Sequence, residues 1–322
     1  MPSAGTSLKQ LKRVVAPVPK IGAPDFTRDL DLSQDELLAL LDLTRQMKVN
    51  PARFATALSG KYLTLLFEKP SLRTRLTFEL AAKQLGGDAV VSIGPIGDRE
   101  PLKDVARNLD RWTNGIVART FSQTTIDELA RWSSVPVINA LSDRFHPCQA
   151  LADVFTLQEK FGDLRGLKLA FIGDGNNVAN SLMLTALRLG MNFTIASPKD
   201  YEADREIVAQ AEALAAVSGS QLVITADPIA AVRGAHAIYT DVWTSMGQEQ
   251  EREKRLADFA GYQVNGELLA QASPDAVFLH CLPAKRGEEV TDEVMESSQS
   301  AVFDQAENRL HVQKALLLML IG

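Results

Sequence analysis

Several short segments of the chain collect the residue types that handle phosphate, amines and carbonyl groups. In Ser71-Leu72-Arg73-Thr74-Arg75, hydroxyls and guanidinium groups stand where an apolar strand-like run, 61–67, gives way to a helical pattern. The free backbone N–H groups and positive dipole end of that helix face the same point, so the segment reads as an anion cradle. Arginine suits the task because its planar fork grips two phosphate oxygens, and Ser and Thr add hydrogen bonds without more charge. An ordinary capped helix with a solvated basic face would carry the same residues, so this segment decides nothing alone.

Arg119 ends the strand pattern at 115–118, and His146-Pro147-Cys148-Gln149-Ala150-Leu151-Ala152-Asp153 follows the one at 135–139. Both lie beyond carboxyl ends of strands, where open α/β sheets hold ligands. A lone histidine is more often structural than catalytic. His146, however, precedes a proline at a helix start, where its imidazole can point outward and donate to a carbonyl oxygen, with Gln149 on the same side one turn on.

Gly173-Asp174-Gly175-Asn176-Asn177 follows a strand and opens a helix, which invites a dinucleotide-binding reading. The third glycine of that fingerprint is missing, Val178 and Ala179 standing nearby, and the next strand runs into Ser197-Pro198 rather than an acid. The adjacent Asn amides suit the carboxylate and ammonium of an amino acid instead. Asp241-Val242-Trp243-Thr244-Ser245-Met246-Gly247 begins at a strand end and is either a mobile surface loop or a lid whose acid holds a cationic substrate. The charged stretch after it, 248–255, reads as a solvated face in both cases. His280-Cys281-Leu282-Pro283 places a thiol and a proline-constrained carbonyl at another strand end. A buried cysteine is usually a small hydrophobe, yet Cys281 would lie near Asp241 if the two sheets face one another, with Arg309 approaching from the far end of the chain.

The elements that must position these groups alternate. Strands are expected at 61–67, 89–93, 115–118 and 135–139, then at 168–172, 193–196, 221–225, 237–240 and 276–280, with helices between them, which indicates two open parallel α/β sheets. Ser33 with Glu36 forms a capping box for a first helix, whose apolar side is Leu37, Leu38, Leu41 and Leu43. A helix from about Cys148 to Phe161 links the sheets, and an apolar helix, 311–321, returns to the first. The expected division is a flexible tail, 1–24; a first domain, 25–147 with 309–322; and a second, 148–308. No internal repeat is present.

A chain of 322 residues with 46% hydrophobic composition fits two such domains. Its formal charge of -6 excludes a general polyanion-binding surface, so any phosphate site is local and nucleic acid is not an expected partner. Cys148 and Cys281 have no paired or zinc-type spacing, so neither disulfide framework nor metal is expected, and a reducing cytoplasm fits. No apolar run is long enough to span a bilayer and no secretory signal is recognisable. The basic, acid-free stretch up to Pro24 reads as a loose tail rather than an organelle-targeting segment.

Together the segments resemble the aspartate and ornithine carbamoyltransferase family, from about Phe26 to the C-terminus. Ser71-Leu72-Arg73-Thr74-Arg75 is similar to its carbamoyl phosphate motif and His146-Pro147-Cys148-Gln149 to its second shared signature. The resemblance implies carbamoyl phosphate binding by Ser71, Leu72, Arg73, Thr74, Arg119, His146, Gln149, Cys281, Leu282 and Arg309. The Asp241 to Gly247 segment and His280-Cys281-Leu282-Pro283 resemble the ornithine branch, which implies ornithine binding by Asn177, Asp241, Ser245 and Met246, and catalytic parts for Arg119, His146, Asp241 and Cys281. Acetyl- and succinyl-ornithine enzymes share the first signature and something of Leu72, but lack the Ser-Met-Gly loop and typically carry Lys at the position of His280. The resemblance also implies no cofactor and a homotrimer or assembly of trimers. A departure is the segment 92–100, which is shorter than usual, with Pro95 where relatives often carry a polar residue reaching a neighbouring subunit.

The expected chemistry is direct attack of an uncharged ornithine δ-amine on a carbonyl polarised by Arg119, Thr74 and His146. Asp241, Cys281 and the Leu282 carbonyl would orient the amine, and the leaving phosphate would take the proton, with Cys281 forming no covalent bond. A nucleotide-dependent oxidoreductase and a non-catalytic amino-acid-binding protein are the alternatives from other classes.

Overall fold

The computed structural model describes residues 18–245 and 249–322. After α1 (Gln34–Val49), the first half alternates β1 (Tyr62–Phe67), α2 (Leu72–Gln84), β2 (Asp88–Ile93), α3 (Leu102–Trp112), β3 (Gly115–Arg119), α4 (Gln123–Trp132) and β4 (Val137–Leu141). The long α5 (Pro147–Phe161) leads to β5 (Lys168–Ile172), α6 (Asn177–Arg188), β6 (Asn192–Ala196), α7 (Arg205–Ser218), β7 (Leu222–Thr225), α8 (Pro228–Val232) and β8 (Ala237–Thr240). Then come α9 (Arg252–Asp258), α10 (Gly266–Leu269), β9 (Val277–His280), α11 (Asp292–Glu296) and α12 (Val302–Ile321).

The strands form two sheets, β2-β1-β3-β4 and β7-β6-β5-β8-β9, parallel throughout, as the alternation of strand and helix patterns required. In each sheet the order reverses beside the strand that comes first in the chain, β1 or β5, and such reversals open a crevice at the carboxyl ends. One of three apolar core clusters runs continuously from α1, α2 and β1 through α5 and α12 to α6 and β6, with a smaller cluster on the other face of each sheet. The two sheets are therefore held in one packed body by two helices, not strung on a flexible linker.

Several boundaries differ from expectation for identifiable reasons. The capping box at Ser33 forms, but Leu38 is exposed and Leu40 takes its place in the core, because the buried face of α1 follows Leu37, Leu40, Leu41 and Thr44. Strand β4 starts two residues later than expected, since Pro136 has no N–H for the ladder; the Val137 N–H goes to Asp25 Oδ1 at 2.8 Å. The C-terminal helix begins at Val302 rather than 311, so Arg309 sits mid-helix with its side chain in the interior. The expected loose tail lies outside the described residues up to residue 17; within 18–24, Val18 and Ile21 pack on the core and the Gly22 N–H donates to Glu36 Oε1 at 2.6 Å. No described helix is long and apolar enough to cross a membrane.

Candidate active site

Carboxyl ends of strands from both sheets bring the expected groups together. Ser71 caps α2, its Oγ accepting from the Thr74 N–H at 3.3 Å. The buried Thr74 hydroxyl accepts from Arg309 Nη2 at 2.5 Å, which leaves the hydroxyl hydrogen free to be given elsewhere. Arg119 leaves β3 where the pairing with β4 skips a residue, and such irregularities re-aim a side chain at the end of a strand. Arg119 and Arg309 are 8% and 3% exposed, and the Nε of each is buried without a partner. Burial and the neighbouring Arg309 charge push Arg119 down to about 10, and Arg309 is lowered by burial with a contribution from Arg73. Among the described residues no acid forms an ion pair with Arg119 or Arg309, so these guanidinium groups form a buried cation cluster suited to an anion.

His146 is the cap residue of α5, with Pro147 in the first helical position, and its N–H donates to Ser181 Oγ at 2.9 Å. Its ring does not point out to solvent as the sequence allowed: it is buried, with Nδ1 unpartnered. Burial, Arg309 and Arg119 hold it well below the usual histidine range, so at neutral pH it is an uncharged donor. Gln149 donates from Nε2 to Asp153 Oδ1 at 2.8 Å and keeps a buried Oε1 without a partner, a vacant acceptor beside the cations.

On the second sheet, Cys281 Sγ donates to Asp241 Oδ1 at 3.0 Å, and Asn176 Nδ2 donates to Asp241 Oδ2 at 2.8 Å. Burial and the Asp241 carboxylate raise the Cys281 thiol well above its ordinary range, so it is a neutral donor and no thiolate nucleophile. Leu282 occupies positive φ (58°), held by its N–H to His280 Nδ1 at 2.9 Å. His280 Nε2 then donates to the buried Glu289 at 3.0 Å. Asp241, His280 and Cys281 bring potential metal-ligand atoms within 4.8 Å of one another, but both His280 nitrogens are engaged.

Two expectations for this end need revision. The adjacent Asn amides are used by the chain itself: Asn176 Oδ1 caps α6, accepting from Val178 and Ala179 at 2.9 and 3.1 Å, and Asn177 Nδ2 donates to the Ser142 carbonyl at 2.7 Å, across the two sheets. Asn177 keeps its oxygen and a second N–H. The charged stretch after the Asp241 loop is no solvated face throughout, because Arg255 is buried, donating to Asp174 at 2.6 Å and to the Trp243 carbonyl at 2.9 Å, and so pins the loop to the Gly173–Gly175 turn. Ser245 is half-buried, and Met246 and Gly247 lie outside the described residues.

A nucleotide has no place at that turn. A Cβ on Gly175 would stand 2.2 Å from Ala203 N, so the chain's own backbone fills the space a pyrophosphate would need.

A family model described as the carbamoyl-P binding domain of aspartate/ornithine carbamoyltransferase matches residues 25–159, and one described as its Asp/Orn binding domain matches residues 165–320. The chain belongs to the aspartate/ornithine carbamoyltransferase family. An ornithine carbamoyltransferase of Thermus thermophilus is 56% identical over 290 residues, 89% of this chain and 93% of that one. The solved ornithine carbamoyltransferase of Pyrococcus furiosus superimposes with a TM-score of 0.91 at 44% identity, covering 96% of this chain and 99% of that one. A structure of an acetylornithine transcarbamylase complexed with acetylcitrulline is 36% identical, with a TM-score of 0.84 over 92% of this chain and 99% of that one.

Within this carbamoyltransferase fold, sequence reasoning missed the supports. Asp153, fully buried and raised to about 7 by burial, accepts from Gln149 and from Gln305 Nε2 at 2.6 Å, and Gln305 Oε1 accepts the His280 N–H at 3.0 Å. This chain of bonds ties the α5 side of the site to the Cys281 turn. Asp29 bonds to Ser181 and Thr185 at 2.6 and 3.2 Å, clamping the first domain on α6. Glu68 accepts from the Ile96 and Phe121 N–H groups at 3.2 and 2.9 Å, which fixes the short segment containing exposed Pro95. None of these residues has a local signature, since each acts on a partner distant in the chain.

Proposed function

We infer that the protein transfers the carbamoyl group of carbamoyl phosphate to the δ-amine of L-ornithine, giving L-citrulline and phosphate. The observation that carries this reading is a buried Arg119–Arg309 cluster, unpaired with any acid among the described residues, that feels the Cys281 thiol bonded to Asp241. That proximity supports an anion end and an amine end serving one reaction. Residues 25–147 with the C-terminal helix are assigned to carbamoyl phosphate, and 148–308 to ornithine.

In the proposed reaction, Ser71, Leu72, Arg73, Thr74 and Arg309 hold the phosphate. Arg119, the Thr74 hydroxyl and neutral His146 donate to the carbonyl oxygen, stabilising the negative charge that grows there. Gln149 Oε1, otherwise unpartnered, accepts from the carbamoyl nitrogen. Asn177, Ser245 and Met246 hold the amino-acid end of ornithine, while Asp241, Cys281 and the Leu282 carbonyl orient the δ-amine. The nitrogen lone pair forms the new C–N bond, the C–O bond to phosphate breaks, and the amine proton leaves with the phosphate. Carbamoyl phosphate binds first, and the amino acid then closes the Ser245 to Gly247 lid.

We further place this step in arginine metabolism in the cytoplasm, which its two free thiols support. The same reading makes the protein a homotrimer, or an assembly of trimers, through the first domain. Leu72, Leu76 and Leu80 form an exposed stripe on α2, and Val90 and Ile93 are exposed on the adjacent edge strand β2. A colorimetric citrulline assay with ornithine, acetylornithine and putrescine tests the substrate. Ornithine alone should be carbamoylated, and preference for acetylornithine would move the protein to the other branch.

A further inference from the structure

Far from the reacting groups, α1, the turn after it, the end of α2 and the middle of α12 line a half-open cavity of about 350 Å³. Met47, Pro51, Phe54 and Leu85 give it apolar walls, and its polar lining is Gln84 and Lys314. Gln84 ends α2, about 20 Å along the helix from the Ser71 cap at 1.5 Å per residue, so the cavity lies outside the site already described.

Lys314 is 4% exposed, and its ammonium donates to Gln84 Oε1 at 3.2 Å. An ammonium has three N–H groups, and among the described residues no carboxylate pairs with this one. Burial disfavours the charged form of this ammonium, and no carboxylate among the described residues offsets that. An anion entering the cavity would relieve it.

We propose that this cavity is a second binding site, for a small organic monocarboxylate with a short apolar tail held by Lys314. The carboxylate meets the unused N–H groups and the tail lies on Met47, Phe54 and Leu85. A dianion such as inorganic phosphate fits poorly, because the apolar walls offer nothing to its second charge. The volume lies at the lower end of the range for small-molecule sites, about 300–1,000 Å³.

The test is calorimetric titration of the full chain with hexanoate, in excess inorganic phosphate to occupy the active-site cations, with hexan-1-ol as the uncharged control. Hexanoate should give a saturable isotherm of one site per chain, and hexan-1-ol should bind at least about tenfold more weakly. Lys314→Met retains the volume and removes the charge, and should weaken hexanoate at least about tenfold while citrulline formation continues. Ala52→Trp blocks the exposed rim with Lys314 intact and should abolish binding. The proposal is overturned if the wild type shows no saturable binding, if hexan-1-ol binds equally, or if either variant binds hexanoate like the wild type.

Discussion

Replacing Arg119 with methionine should separate activity from stability. In the free protein Arg119 is buried beside Arg309, and its lowering from 12.5 to about 10 corresponds to roughly 3 kcal/mol held against the folded state, in order of magnitude. That penalty is present at every pH below about 10 and fades only as Arg119 loses its proton above it. Methionine removes the charge and keeps most of the volume. Arg119→Met should therefore be no less stable to urea than the wild type at neutral pH, and more stable by up to ~3 kcal/mol if packing is retained. Turnover should move the other way. Loss of one well-placed oxyanion donor costs about 10²–10³ in kcat, or ~3–4 kcal/mol of transition-state stabilisation. Citrulline production with both substrates saturating measures that loss, and urea unfolding of the same preparation measures stability. Turnover within about tenfold of wild type, or activity and stability falling together, would refute the assignment.

Asp153, raised from 3.8 to about 7, binds a proton in the folded state that the unfolded chain has released, so its contribution to stability falls as pH rises through that window. Asp153→Asn keeps an acceptor oxygen and should flatten the dependence, with the wild type losing ~2 kcal/mol relative to the variant between about pH 5.5 and pH 7; parallel urea-midpoint profiles would contradict this. For Gly175→Ala, with Ala203 N at 2.2 Å from the added carbon, a loss of ~1–3 kcal/mol is expected, and an unchanged urea midpoint would remove the packing argument. Because the Cys281 thiol is held neutral, mass spectrometry of enzyme quenched during turnover should find no carbamoyl group on Cys281, and Cys281→Ala should retain measurable turnover with a raised ornithine KM. A trapped adduct would overturn the direct-transfer mechanism.

The legible part of the fold was what repeats locally. Apolar strand runs, the Ser33–Glu36 capping box and the proline after His146 carry their meaning within a few residues, and the elements they announce all form, although β4 is displaced by two residues and the His146 ring turns inward. What sequence patterns missed depends on distant partners. The burial of Arg255 needs Asp174 and the Trp243 carbonyl, and Asp153 needs Gln305, which joins it only because α12 returns across α5. The start of α12 was misplaced because residues 302–310 mix polar and apolar types, their Gln305, Asn308 and Arg309 being buried by hydrogen bonding rather than by hydrophobicity. The same holds at Asn177, whose amide looked free for a ligand until Ser142 was brought to it by the packing of the sheets.

For direct transfer to occur, the cations of the first sheet and the Asp241–Cys281 pair of the second must serve one ligand pair. The direct measurement is calorimetry with a bisubstrate compound carrying a phosphonate joined through an acetyl group to the δ-nitrogen of ornithine. Linking the halves makes the second contact intramolecular, so it should bind at least about a hundredfold more tightly than phosphonoacetate or ornithine alone. Arg73→Ala and Asp241→Asn should each remove most of that gain. Affinity no better than that of either half, or sensitivity to only one of the two substitutions, would contradict a shared site.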